Sequence, residues 1–188
     1  MALYDAIVSD DWDEANRLLD DPNYNVNKPV NYPPLEACAR YARDSKNKRG
    51  DYVEDENVRI MRRILQHPTF KRDPENDPCS KALFMVCDEL KSVIAAKLLL
   101  KQENINLGMK LITDDVPMLH SMMRRLRSSN IDKATHILIG LLRYPQIGDF
   151  INKHDYGLSA LASFLCNTNI HCYDLEITVK PIRIIEML

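Results

Sequence analysis

The stretch LYDAIVSDDWDEANRLLDDPNYNVN, residues 3–27, contains the pattern from which the whole chain is built. An apolar segment that begins at Leu3 predicts one short helix, the pair Asp10-Asp11 predicts a turn, and the pair Leu18-Leu19 predicts the end of a second helix. A loop then closes on Val26-Asn27. We therefore expect two short helices that are joined by a tight turn and followed by a loop.

The same order of features returns along the chain. From Leu83 a second copy runs through the pair Leu98-Leu99 to Ile105-Asn106, and the interval from the opening leucine to the leucine pair is 15 residues in both copies. Three more copies contain longer intervals, and the five opening leucines are Leu3, Leu35, Leu83, Leu119 and Leu161. Because one helix pair is too small to bury its own apolar face, neighbouring pairs must stack and share a core.

Stacked copies predict the fold class and the domain organisation. We expect an all-α solenoid of about five helix pairs, in a single domain that spans 1–188. Its units are 1–31, 32–76, 77–112, 113–153 and 154–188. In each unit the first helix is the inner helix and the second is the outer helix. The last unit ends before a closing loop, so we expect it to be incomplete.

Three units are longer than the others, and the extra residues fall between the inner and outer helices. The inserted segments are 44–56, 127–132 and 167–178. In a stack of equivalent units, equivalent loops project from the same edge, so we expect the three segments to form one ledge. Two interpretations stay open, since exposed loops tolerate insertions at low cost and also supply recognition surfaces.

Composition and charge weigh against several classes of protein. Of the 188 residues, 45% are hydrophobic and 28% are charged, as in a folded domain. The net charge is −2, whereas proteins that bind nucleic acids or anionic membranes usually carry a basic excess. No apolar run approaches the ~18 residues that span a bilayer, and the acidic start lacks the basic and apolar regions of a signal peptide. We expect no nucleic-acid partner and no membrane insertion.

The five cysteines are irregularly spaced and include no CxxC pair; they are Cys38, Cys79, Cys87, Cys166 and Cys172. Disulfide frameworks belong to small secreted domains, so we expect reduced thiols in an intracellular, cytoplasmic protein. The adjacent His171-Cys172 lacks further ligands at the spacing that zinc needs. The sequence contains no phosphate-binding glycine loop and no serine-nucleophile motif. We therefore expect no metal, no cofactor and no catalytic activity.

Two short motifs carry a resemblance to a known family. Pro117-Met118-Leu119-His120 opens the fourth inner helix, and Asp155-Tyr156-Gly157 precedes the fifth. Together with the leucine pairs and the hydrophobic-Asn loops, they resemble the ankyrin repeat, in which Thr-Pro-Leu-His opens an inner helix and an Asp-Gly turn precedes it. The resemblance covers nearly the whole chain, although Gly157 alone occupies the turn glycine. Such degenerate repeats look like those of bacterial effectors and of viral or protist proteins.

The resemblance implies a role in protein–protein interaction. Ankyrin solenoids bind polypeptides through a concave groove and through the tips of their turns, and the ends of their inner helices face that groove. Here those positions are basic and aromatic, then acidic, then basic, which suits a polypeptide and repels phosphate. The candidate binding residues are Arg40, Tyr41, Asp88, Glu89, Arg124, Arg125 and Tyr156. The family's histidine, His120, is expected to hydrogen-bond the neighbouring turn.

Two roles are compatible with these residues. The first is a non-catalytic, monomeric module that binds another protein, with a host protein as one candidate. The alternative is the substrate-recruiting ankyrin domain of a larger bacterial effector enzyme, delivered into a host cell, whose catalytic part lies outside this chain. A structural spacer would carry regular repeats, and the three insertions argue against that role.

Overall fold

A computed structural model of the chain describes residues 2–28, 33–73, 76–109, 118–125, 129–145 and 147. These residues form eight α-helices and one two-stranded β-sheet, and 56% of them are helical. The predicted helical character is therefore confirmed.

The helices follow one another as four pairs. Their bounds are α1 Leu3–Val8, α2 Trp12–Asp20, α3 Pro34–Tyr41, α4 Glu56–Gln66, α5 Pro78–Glu89, α6 Val93–Leu99, α7 Met118–Arg124 and α8 Ile131–Leu142. The odd-numbered helices, which we call the inner helices, contact one another in the order α1, α3, α5, α7. The even-numbered helices, the outer helices, contact one another in the order α2, α4, α6, α8. The two rows share a contiguous apolar core.

Polar side chains fix where several helices begin. The carboxylate of Asp11 accepts a hydrogen bond from the Glu14 backbone N–H at 3.1 Å, and Asp55 accepts one from the N–H of Val58 at 3.0 Å. Ser92 caps α6 in the same way. Such caps satisfy N–H groups that lack partners inside the helix. The predicted turn at Asp10-Asp11 is confirmed by this cap and by the positive φ of 57° at Asp10.

The start of the third inner helix differs from the prediction. Leu83 was expected to open this helix, but α5 begins at Pro78, and Leu83 is its sixth residue. Asp77 caps the helix, and a proline fits the first turn because the N–H it lacks would have no partner there. Cys79 therefore holds the place in α5 that Leu35 holds in α3. The intervals of 15 residues that begin at Leu3 and at Leu83 therefore start at different places in their helices, since Leu3 is the first residue of α1.

The inserted segment 44–56 contains a β-hairpin between α3 and α4, where the prediction had a loop. Strands β1 (Asp44–Lys46) and β2 (Tyr52–Glu54) pair antiparallel. In the turn, the N–H of Gly50 donates to the carbonyl of Asn47 at 3.0 Å, and Gly50 has a φ of +84°. Asparagine at the first position and glycine at the fourth are typical of a tight hairpin turn. The all-α expectation is corrected to that extent.

The hairpin connects the second helix pair to the third. Its first residue, Asp44, accepts hydrogen bonds at the start of α6 from the Ser92 hydroxyl at 2.6 Å and from the Ile94 N–H at 3.3 Å. The N–H of Val93 also donates to Asp44. A carboxylate at this position satisfies free N–H groups and interacts favourably with the helix dipole.

The hairpin also reaches the fourth helix pair. Both Lys46 Nζ, at 2.5 Å, and the Tyr52 hydroxyl, at 2.9 Å, donate to one carboxylate oxygen of Asp132 in the first turn of α8. Asp132 is the last residue of the second inserted segment, so the first inserted segment contacts the second at this point; the common ledge stays a prediction. The third inserted segment, 167–178, lies outside the described residues.

The hydrophobic-Asn motif links consecutive loops. Val26 is buried, and the Asn27 side chain donates to the carbonyl of Thr69 at 2.5 Å and accepts from the Lys71 N–H at 3.0 Å. The motif thus fastens the loop of the first helix pair to the loop of the second. In the third loop, Ile105 is likewise buried.

We predict that Asn27→Ala destabilises the protein by about 1–3 kcal/mol, because the substitution leaves two backbone groups of the neighbouring loop without their partner. Urea unfolding followed by circular dichroism measures this change. Asn23→Ala removes an exposed asparagine from the same loop and should change stability by less than about 0.5 kcal/mol. Equal effects of the two substitutions would contradict the role given to Asn27.

Candidate functional site

The ends of the inner helices form the candidate site. Val8 ends α1 and Tyr41 ends α3, and these residues are 42% and 41% exposed. In the described part of the chain, the one other large hydrophobic residue with comparable exposure is Val53 of the hairpin. Glu89, which ends α5, is also exposed. Consecutive inner helices thus present their last side chains to solvent.

The acidic and basic positions expected on this face partly neutralise each other. Arg125, just after α7, donates through Nε to the Asp88 carboxylate at 2.9 Å, and the hydroxyl of Ser121 donates to the same oxygen. Glu89 forms a salt bridge with Lys91, with 2.6 Å between Glu89 Oε2 and Lys91 Nζ. The side chain of Asp88 is only 14% exposed. Its hydrogen bonds to Ser121 and Arg125 connect α5 to α7.

A small cleft crosses the first three inner helices. We call it the Glu36 cleft; it is lined by Tyr4 of α1, by Glu36, Ala37, Arg40 and Tyr41 of α3, and by Met85 of α5. Its volume is about 40 Å³. Pockets for drug-sized ligands usually occupy ~300–1,000 Å³ and enclose most of the ligand. The size and position of the cleft therefore suit a single side chain of a larger ligand.

Glu36 is the unusual group in this cleft. The residue is 6% exposed, and its Oε1 atom has no hydrogen-bond partner. Lys81 Nζ lies 4.0 Å from that oxygen, which compensates charge but is too long for a hydrogen bond. Burial raises the pKa of Glu36, and the positive charges of Lys81 and Arg40 oppose this rise. A buried carboxylate oxygen without a donor is energetically unfavourable.

The structure places two of the predicted binding residues at the Glu36 cleft and pairs two others, Asp88 and Arg125, with each other. It also adds residues that sequence reasoning missed. Arg40 and Tyr41 line the Glu36 cleft with Tyr4 and Met85. The signal for Glu36 was present, since a carboxylate four residues before Arg40 shares a helix face with it. Tyr4 and Met85 lie on other helices, so their sequence positions alone gave no such signal.

The remaining predicted site residues are placed only in part. Arg124 is the last residue of α7, and its side chain lies outside the described residues. Tyr156 lies outside them as well. His120 is fully buried in α7, and its expected hydrogen bond to a neighbouring turn stays a prediction.

The described cysteines are buried thiols. Cys38, Cys79 and Cys87 are not disulfide-bonded. Burial raises the pKa of Cys79 to about 12 and raises the pKa values of the other two still further. Thiols in this state are poor nucleophiles. They agree with the expected role as small apolar side chains.

The described residues contain no cluster of three or more histidine, cysteine or acidic side chains that could hold a metal ion. The motif His171-Cys172 lies outside this part of the chain. None of the described helices has the length and hydropathy of a membrane-spanning segment.

Comparison of the chain with protein-family models, with curated protein sequences and with solved structures finds no match. The resemblance to ankyrin repeats therefore depends on the quoted motifs. What that resemblance implies for function stays a prediction.

We predict that the free energy of unfolding of Glu36→Gln, taken relative to that of the wild type, rises as the pH rises from about 4 to 7. In the wild type, the raised pKa of Glu36 means that the folded state holds this proton more tightly than the unfolded state. Its stabilising contribution is therefore present at low pH and is lost as the pH rises through the folded pKa. Glutamine does not titrate. Urea unfolding at a series of pH values gives the difference in stability.

The matched control for this prediction is Glu56→Gln, which removes a half-exposed carboxylate of α4 that pairs with Arg59. The stability of this variant relative to the wild type should not rise over the same pH range. If the Glu36→Gln difference were constant with pH or fell as the pH rose, the burial of an unfavourable carboxylate at this site would be refuted.

Proposed function

We propose that this chain is an ankyrin-like repeat module that binds another protein, as an extended polypeptide, across the ends of its inner helices. The observation that carries the proposal is the exposure of Val8 and Tyr41, the last residues of two consecutive inner helices. Tyr41 also lines the Glu36 cleft. Tyrosine and arginine often anchor protein interfaces. Tyr41 and Arg40 are adjacent at this edge of the cleft.

The arrangement of elements supports the ankyrin-like interpretation. Inner helices contact inner helices and outer helices contact outer helices, as repeat units in a stack do. Pro34 and Pro78 open two inner helices, and Val26-Asn27 connects one loop to the next. The buried thiols support the accompanying proposal of a reducing, intracellular setting.

The chemistry of the face favours a polypeptide over other ligands. The cleft is small and open, which suits a side chain better than a cofactor. Arg40 and Arg125 lie on the same row of helices as the acidic pair Asp88-Glu89. Because Asp88 pairs with Arg125 and Glu89 pairs with Lys91, this row lacks the basic excess that a phosphate backbone attracts, whereas a polypeptide can match both signs of charge.

The proposal is tested by affinity capture from eukaryotic cell lysate with the full chain as bait. We expect the double variant Val8→Ser, Tyr41→Ser to capture at least about tenfold less of the partner protein than the wild type does, because two apolar anchors are removed. Val53→Ser removes the comparably exposed residue on the hairpin and should retain the captured protein. Circular dichroism verifies that each variant is folded.

Two results would contradict this assignment. Equal capture by the wild type and the double variant would place the binding site elsewhere on the molecule. Loss of the captured protein in Val53→Ser alone would place the site on the hairpin.

A further inference from the structure

The Glu36 cleft places a hydrogen-bond acceptor and a donor on one face of α3. We propose that it receives the primary amide of a glutamine or asparagine side chain from the bound polypeptide. This inference rests on the proposed function, since it names the chemistry of the partner residue that enters the cleft. The amide nitrogen would donate to the carboxylate of Glu36, and the amide oxygen would accept from Arg40.

The acceptor is a carboxylate that lacks a hydrogen bond. The Glu36 side chain is 8% exposed, and its Oε1 has no donor within hydrogen-bond distance. The terminal torsion of a glutamate is broad, so either oxygen can turn toward the cleft. A donor that enters the cleft therefore supplies the hydrogen bond that Oε1 lacks.

The donor lies one helical turn further along. Arg40 follows Glu36 by four residues, so the two side chains are neighbours on the helix surface. Arg40 is exposed at the mouth of the same cleft. Its guanidinium carries five N–H donors, so it can hold a carbonyl oxygen in addition to other contacts.

The charges around the cleft select a neutral ligand group. Glu36 faces two cations, Lys81 at 4.0 Å and Arg40, so the three groups together carry one net positive charge. A lysine or arginine from the partner would meet the repulsion of these cations, and an acidic residue has no donor for the Glu36 carboxylate. A primary amide is uncharged and offers both a donor and an acceptor. It is therefore the side chain whose polarity matches both Glu36 and Arg40.

The walls of the cleft suit the apolar stem of such a side chain. Tyr41 and Tyr4 supply aromatic surfaces from two helices, and Met85 supplies a flexible apolar side chain from a third. Methionine adapts its shape to the group that it contacts. The methylene groups of a glutamine can pack here while its amide reaches the polar groups.

The inference is tested by selecting short random peptides, displayed on phage, against the full wild-type chain. We expect glutamine or asparagine to be enriched at one aligned position. In a synthetic copy of the best peptide, replacement of that residue by alanine, lysine or glutamate should each weaken binding by about tenfold or more. Fluorescence anisotropy of the labelled peptide measures the dissociation constants.

A second set of variants connects the peptide residue to Glu36. In Glu36→Leu, whose side chain offers no hydrogen-bond acceptor, the alanine replacement in the peptide should have little further effect, because the contact has already been removed. Glu56→Leu, which makes the same change on an outer helix, should bind as the wild type does. Thermal melting followed by circular dichroism shows that these variants are folded.

The outcomes separate this inference from the proposed function. Peptides that bind the wild type, lose affinity for Tyr41→Ser and carry a basic, acidic or apolar residue at the aligned position would overturn the amide assignment and leave the proposed function standing. Failure to select any peptide would overturn the proposed function and this inference together. So would the selection of peptides that bind Tyr41→Ser as tightly as they bind the wild type.

Discussion

Helices α3 and α5 are in more extensive contact than any other two elements of the described structure. Both bury small side chains, with Ala37, Cys38 and Ala39 on α3 and Cys79 and Ala82 on α5. The two helices contain 8 and 12 residues, and isolated helices shorter than about 12–15 residues are marginal in water. Their helical state therefore depends on mutual burial, and the rows of inner and outer helices extend from this contact.

The same packing creates the candidate binding face. Because α1, α3 and α5 lie in one row, their final residues Val8, Tyr41 and Glu89 reach solvent on successive helices, and side chains from all three meet in the Glu36 cleft. On the outer row, the hairpin connects two helices, since Asp44 caps α6 and the Tyr52 hydroxyl donates to Asp132 of α8. A surface built on elements joined in this way is largely preformed, which lowers the entropic cost of binding.

Local signals in the sequence were sufficient for much of the fold. The Asp10-Asp11 turn was predicted correctly because its chemistry acts over a few residues. The strands around Asn47 and Gly50 were missed, although asparagine and glycine at that spacing indicate a hairpin turn. The start of α5 was misplaced because Leu83 dominates the apolar pattern. Glu36 was overlooked although its spacing from Arg40 places both on one helix face, whereas the contributions of Tyr4 and Met85 could not be predicted because the cleft exists only when three helices are brought together.

Hydrogen–deuterium exchange of the full chain, analysed by mass spectrometry in increasing urea, tests most directly whether mutual burial holds the inner helices together. We predict that the amides of α3 and α5 exchange with the same free energy of opening and the same urea dependence, equal to those of global unfolding, because neither helix can open alone. An α5 that stays protected while α3 exchanges through a separate opening of lower free energy would contradict this account.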